Sequence, residues 1–109
     1  MRKYSVVPDA NSMANAMVAS DWVDSRVLSA NVAKSFTVPA TARFVRLAAG
    51  QLFYFNPNGP AAVAASDIST GAGSVSVPAT DNPFFCVDGL TAISVIAPTG
   101  VIISAEWFA

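Results

Sequence analysis

Histidine is absent from this chain of 109 residues, and cysteine occurs once, at Cys86. Without histidine, the commonest general base, the Ser-His-Asp and Cys-His arrangements and most zinc sites are excluded. No Ser-x-x-Lys motif occurs, and the acidic residues are one glutamate, Glu106, and scattered aspartates. A glycosidase-like carboxylate pair is the one arrangement that the sequence does not exclude. We expect no enzymatic activity, no catalytic residues, no metal ligands and no cofactor.

Charge is also scarce, because Asp, Glu, Lys and Arg make up 12% of the chain and apolar residues 53%. Ordinary globular domains carry about 25% charged residues. All six bases lie in residues 1 to 46, which sum to +3, whereas residues 47 to 109 hold only acids and sum to −4. Opposed halves favour head-to-tail contact between copies or docking on a larger charged surface. We therefore expect partner subunits, and no nucleic acid because the pI is near 4.9.

The single cysteine excludes an intrachain disulfide, and we expect Cys86 to be a buried thiol that packs as a small apolar side chain. The most apolar 20-residue window is the C-terminal one. Pro98, Gly100 and Glu106 within it argue against a membrane span. No secretion signal is expected in the first residues, since Pro8 and Asp9 interrupt the apolar run.

Residues 1–25 show no strand alternation and are predicted to form an N-terminal arm, extended or with a short helix. Helical spacing relates four residues that follow a possible cap at Asp9 or Asn11, namely Met13, Ala14, Met17 and Val18. Because free termini are usually disordered, we expect the arm to be held by its own domain or by a neighbouring subunit. Residues 26–109 are predicted to form one antiparallel β domain.

Alternation with period two begins at Leu28 and indicates a β-rich chain. Turn residues divide it into predicted strands over 28–38 (one strand, or two broken near Lys34), 42–48, 51–55, 74–77, 84–87, 90–97 and 101–108, with a possible short edge strand over 61–65. The expected fold is all-β, a single antiparallel β-sandwich or barrel-like domain with an irregular N-terminal arm.

Three short turns predict hairpins, at Ala49-Gly50, at Asp88-Gly89 and at Pro98-Thr99-Gly100. The first would place Arg46 over Phe53 as a cation–π pair. The last two would join three consecutive strands into one sheet.

In that sheet the last three strands present one apolar face and one mixed face. The predicted inner face consists of Phe84, Cys86, Ile93, Val95, Val101, Ile103, Ala105 and Trp107. The opposite face carries Phe85, Ile96, Ile102 and Phe108, which are too apolar for water and predict a covering partner. Phe108→Ser is accordingly expected to weaken assembly more than folding.

Three stretches resemble small β-structured virion proteins of tailed bacteriophages, of the capsid decoration or cement type. They are Phe36-Thr-Val-Pro-Ala-Thr-Ala-Arg-Phe-Val-Arg-Leu-Ala-Ala49 followed by Phe53-Tyr54, Gly89-Leu-Thr-Ala-Ile-Ser-Val-Ile-Ala-Pro98, and Ala105-Glu-Trp-Phe108. The resemblance covers about residues 33 to 108. It implies a virion localisation, most often on the capsid surface, after synthesis in the host cytoplasm. The implied partners are the major capsid protein or other virion subunits, together with further copies of the chain.

Two alternatives stay open at this point. The chain could be a tail, neck or fibre-associated subunit, which differs from a decoration protein in location and copy number. It could instead be a receptor- or carbohydrate-binding β module that uses Trp22, Tyr54 and Trp107 as stacking groups.

Overall fold

The computed structural model describes residues 1–8 and 15–109. The described chain is all-β and contains ten strands and no α-helix, so no helix in these ranges could cross a membrane. The strands are β1 Val6–Pro8, β2 Asn15–Met17, β3 Val23–Leu28, β4 Lys34–Thr37, β5 Phe44–Ala49, β6 Phe53–Asn56, β7 Val75–Val77, β8 Phe84–Cys86, β9 Ala92–Ile96 and β10 Val101–Phe108.

Eight of these strands form two antiparallel four-stranded sheets that pack as a sandwich, which confirms the predicted fold class. Sheet I has the order β3-β10-β5-β8, and sheet II has the order β4-β9-β6-β7. Four pairs are nested inside one another: β3 with β10, β4 with β9, β5 with β8 and β6 with β7. This is the strand order of an eight-stranded jelly roll, in which a long hairpin is rolled up so that the chain crosses repeatedly between two sheets.

All three predicted hairpins are wrong, because each turn carries the chain from one sheet to the other. Residues 50–52 connect β5 in sheet I to β6 in sheet II, and residues 87–91 and 97–100 make the same kind of crossing. Facing sheets lie roughly 10 Å apart, and an extended residue spans about 3.3–3.6 Å, so a loop of three residues can bridge the gap. Val95 therefore pairs with Lys34 and Phe55 rather than with Ile103.

Strand β3 was not predicted, and it begins at Val23, inside the stretch assigned to the arm. Its core-facing positions include Asp24 and Arg26, which obscure the apolar alternation. The structure satisfies both groups: Trp107 Nε1 donates to Asp24 Oδ2 at 2.9 Å, and the Arg26 guanidinium lies 5.0 Å from the Phe36 ring centre. The strand predicted over 28–38 is broken after Leu28, where Asn31 adopts a positive φ of 59°.

The core lies between the two sheets and is made by alternate residues of their central strands. Eight side chains there are essentially inaccessible to water: Trp107, Phe36, Phe53, Leu47, Ile93, Ile103, Val45 and Val95. On β9 and β10 the predicted inner face is confirmed at Ile93, Val95, Ile103, Ala105 and Trp107. On β8 the predicted face is wrong, since Phe84 and Cys86 are exposed and Val87 is buried.

The arm is held by its own domain. Ala109 N–H donates to the Arg2 carbonyl at 2.8 Å, and Tyr4 N–H donates to the Ala109 carbonyl at 3.3 Å. Arg2 N–H also donates to Asp21 Oδ1 at 2.8 Å. Beyond Tyr4, β1 pairs with β2 in a two-stranded ribbon. The predicted helical spacing fails at Met17, which ends β2, whereas Asp9, Asn11, Met13 and Ala14 lie outside the described residues.

Phe108 shows what the docked arm does for the fold. Its side chain is on the outer face of sheet I, yet it is fully buried, because Tyr4 lies against it at 6.0 Å between ring centres. The covering partner predicted for Phe108 is the chain itself. The expectation that Phe108→Ser would affect assembly more than folding is therefore replaced by an expected loss of about 3–5 kcal/mol in stability, typical of emptying a buried aromatic site.

Candidate functional site

The β3/β4 side of the sandwich, which we call the sealed side, is closed by two basic side chains. Trp107 N–H of β10 donates to the carbonyl of Trp22, just before β3. In an antiparallel pair every second residue directs its backbone groups to the partner strand, so Val27, five residues after Trp22, directs its carbonyl away from β10 to the outside of the sheet. Lys34 Nζ donates to that carbonyl at 2.8 Å. Arg26 Nε donates to the Ser35 carbonyl on β4 at 3.0 Å. Charged groups at an edge oppose the addition of another strand.

The β7/β8 side, which we call the open side, contains a cavity of about 360 Å³ that opens between the two sheets. Val45 and Ile93 form its apolar floor, and Phe55 and Phe85 form its walls, with their ring centres 4.6 Å apart. The rim includes Val75, which is 48% exposed, and polar groups of Asn58 and Asp88. A concave, mostly apolar site with few polar groups suits an apolar ligand or an apolar side chain of a partner.

Backbone groups at the open side point outward as well. Val87 N–H donates to the Arg43 carbonyl at 2.8 Å, and Leu47 N–H donates to the Pro83 carbonyl at 3.0 Å. Residues of a strand direct their backbone groups alternately toward the partner strand and away from it. Because Pro83 and Val87 bond to β5, the N–H and C=O groups of Phe84 and Cys86 point away from β5. Within the described ranges no backbone group pairs with them. Strand β8 thus presents an apolar edge without a charged side chain.

Sheet I carries further apolar side chains on its outer face. Val27 and Ile102 are register partners and are 63% and 58% exposed, and Val23 on the same face of β3 is also exposed. We call these three residues the apolar strip. The outer face of sheet II differs, because the long loop after β6 folds onto it and Ala61 N–H donates to the buried Ser94 Oγ at 2.9 Å.

An aromatic cluster lies between the apolar strip and the open side. Tyr4 packs on Phe84 with ring centres 4.7 Å apart, and Phe44 and Phe84 stack at 5.7 Å. The Arg43 guanidinium lies 5.6 Å from the Phe44 ring centre and pairs with Asp88 at 3.1 Å. This cluster holds the arm against sheet I and places the start of the ribbon at the β8 end of that sheet.

The three aromatics considered for sugar stacking are not brought together. Trp107 is fully buried, Tyr54 is half-buried on the outer face of sheet II, and Trp22 is 44% exposed just before β3 in sheet I. A stacking platform needs exposed rings on one surface, so these residues do not form one. The predicted Arg46–Phe53 pair is wrong too, since Arg46 pairs with Glu106 at 3.5 Å and Phe53 is buried.

Two single residues complete the site. Cys86 is exposed on β8 rather than buried, because the real register of β8 turns it outward. Asp21 anchors the arm, and the hydrogen bond from the Arg2 backbone lowers the pKa of its carboxyl below the ordinary value of 3.8. Among the residues described, no group of three or more Cys, Asp or Glu side chains is placed to hold a metal ion.

Of the apolar strip, the sequence pointed to Ile102 alone, because Val23 and Val27 lie on β3, which was not predicted. Ile102 was predicted to be outward and too apolar for water, and it is exposed. The cavity had no signal in the sequence, since its walls come from β5, β6, β8 and β9, whose pairing was predicted incorrectly.

Comparison of the chain with protein-family models, with curated proteins and with solved structures found no match.

Proposed function

We propose that this chain is a structural, non-enzymatic component of a bacteriophage virion, most specifically a capsid decoration protein that bridges major capsid subunits. The observation that carries the proposal is the apolar strip of Val23, Val27 and Ile102, which none of the chain's described segments covers. The arm covers one end of the outer face of sheet I and a loop covers sheet II, whereas the strip stays accessible to a partner.

The fold and the composition support this role. Jelly rolls serve as viral capsid domains and also as lectin domains, so the fold alone does not choose between these functions. The low charge content of 12% favours the capsid role, since few charged groups must lose water when a large surface is covered. A stable contact of this kind buries more than about 1,000 Å² in total.

The proposal is tested by particle binding. Val27→Asp combined with Ile102→Asp places two charges on the strip, and the fold should survive because both side chains are more than half exposed. We expect this variant to lose binding to undecorated heads in co-sedimentation. Ile68→Asp is the matched control, because Ile68 is 49% exposed in the loop that covers sheet II and should leave binding intact.

Two results would count against the proposal: absence of the wild-type chain from head surfaces in electron cryomicroscopy, or unchanged head binding by the strip variant. Copy number separates the remaining virion roles. A number that scales with the major capsid protein supports decoration, and a few copies at the tail or neck would support a tail subunit instead.

A further inference from the structure

We propose that copies of this chain associate head to tail, with the β1–β2 ribbon of one copy lying along β8 and over the cavity on the open side of the next copy. The inference rests on the proposed structural role, and it names the partner of this site as a second copy of the chain. It concerns a different surface from the apolar strip, so the two can fail independently.

The ribbon is the part of the described chain that most needs a partner. Strands β1 and β2 pair with each other and with neither four-stranded sheet. A two-stranded hairpin alone is marginally stable in water, and Val6 in β1 is 45% exposed. The molecule measures 49 × 28 × 28 Å with a radius of gyration of 15.0 Å. A compact chain of this length has a radius of about 13 Å, so the described chain is elongated.

Strand β8 offers the ribbon matching hydrogen-bonding groups. The outward N–H and C=O groups of Phe84 and Cys86 would pair with an added strand, as in other cases of strand addition at a sheet edge. Alternate side chains of that strand would point to the same side as Phe85, toward the cavity. Val6 is apolar and therefore matches the apolar floor that Val45 and Ile93 form.

The distribution of charge favours contact between the arm of one copy and the open side of another over contact between two open sides. Asp21 lies beside Arg2 on the arm, and Arg43 pairs with Asp88 at the cavity rim. The complementary charges are therefore Lys3 on the arm and Asp81 in the connection before β8. Two open sides facing each other would bring their Asp81 carboxylates together, which is unfavourable. The sealed side cannot accept a strand in the same way, because Lys34 and Arg26 occupy its outward carbonyls. The contact is therefore heterologous and produces a ring if it closes and a chain if it does not.

The first test is the state of association, measured by sedimentation velocity over a range of concentrations. The wild-type chain should form species larger than a monomer. Val6→Asp on the ribbon and Val75→Asp at the cavity mouth should each shift the population to monomer, and both side chains are nearly half exposed, so the fold should persist. Val32→Asp, in the connection between β3 and β4 on the sealed side, introduces the same charge at a valine that is 50% exposed and should leave association unchanged.

The second test is a cross-link between the two surfaces, made in a Cys86→Ser background that removes the natural thiol. Val6→Cys and Val75→Cys, each in that background, are mixed and oxidised with diamide, and they should form a covalent dimer on non-reducing gels that neither variant forms alone, because Val75 lies at the mouth of the cavity that Val6 would face. Val32→Cys in the connection between β3 and β4 replaces Val75→Cys in the matched control, since Val32 is 50% exposed, and it should produce no such link.

Several outcomes would overturn the inference: a wild-type chain that stays monomeric at all concentrations, association that survives Val6→Asp, or a yield of the link between Val6→Cys and Val75→Cys no higher than that of the Val32→Cys control. Loss of head binding with association intact would instead count against the proposed decoration role alone.

Discussion

The sealed side and the open side of the sandwich present the same physical problem, since each ends two sheets whose outermost backbone groups lack a next strand. On the sealed side, Lys34 and Arg26 occupy outward carbonyls. On the open side, β8 exposes such groups beside an apolar cavity. The difference follows from the charge distribution, because β3 and β4 come from residues 1 to 46, which hold every base, and β7 and β8 come from residues 47 to 109, which hold none.

The two sides show that the distribution of basic residues along the sequence can decide which sheet edges are protected by charge and which can accept a further strand. Edges of natural sheets are usually protected by charge, by proline or by a covering segment. An edge without such protection is a liability in a monomer and a binding surface in an assembly.

The largest expected effect contrasts two phenylalanines. Phe36→Ala on the sealed side should destabilise the fold by about 3–5 kcal/mol, since its ring is fully buried against Trp107 at 6.4 Å. Phe85→Ala on the open side should cost clearly less, because that ring is only partly buried and already borders a cavity. Urea unfolding of both variants measures the difference, and equal losses would remove the energetic distinction between the two sides.

A matched pair of added methyl groups sharpens the contrast. Val45→Ile should leave stability unchanged or raise it by up to about 0.8 kcal/mol, because Val45 lines the cavity and the added methylene enters free space. Val95→Ile should destabilise by about 1–3 kcal/mol, because Val95 is equally buried but lies away from the cavity in the packed core. Thermal unfolding would distinguish them, and destabilisation by both would show that the cavity is not available space.

Removal of the sealing charges should turn the sealed side into a second open side. Arg26→Met combined with Lys34→Met retains long apolar stems but frees the carbonyls of Ser35 and Val27. We expect little change in the unfolding midpoint and a marked rise in light scattering as concentration increases. Arg43→Met is the control, because its partner is the Asp88 side chain rather than an edge carbonyl. The interpretation fails if the control aggregates as readily as the double variant.

The smallest expected effect is the pH dependence of arm docking. The hydrogen bond from Arg2 favours the ionised Asp21 carboxyl, so its pKa is lower in the folded state than in the unfolded state. The resulting stability is present above the ordinary value of 3.8 and is lost as pH falls through the lowered pKa. Amide exchange of Arg2 should accelerate relative to core amides below that value. Asp21→Asn should show no such relative change.

Prediction from the sequence succeeded where a single strand carries the information. The alternation along β10 determined that Ile103, Ala105 and Trp107 face the core, because side chains of a strand point alternately to opposite sides. It failed at β3, whose inward Asp24 and Arg26 are acceptable only because Trp107 Nε1 and the Ser35 carbonyl are supplied from distant parts of the chain.

The sequence by itself determined the all-β class, most of the strand positions and the uneven distribution of bases. Only the tertiary structure decided which strands pair, because a short turn such as Asp88-Gly89 is compatible both with a return to the same sheet and with a crossing to the facing one. That choice depends on burying both sheets against each other at once. The cavity, the outward edge of β8 and the burial of Phe108 beneath Tyr4 all follow from it.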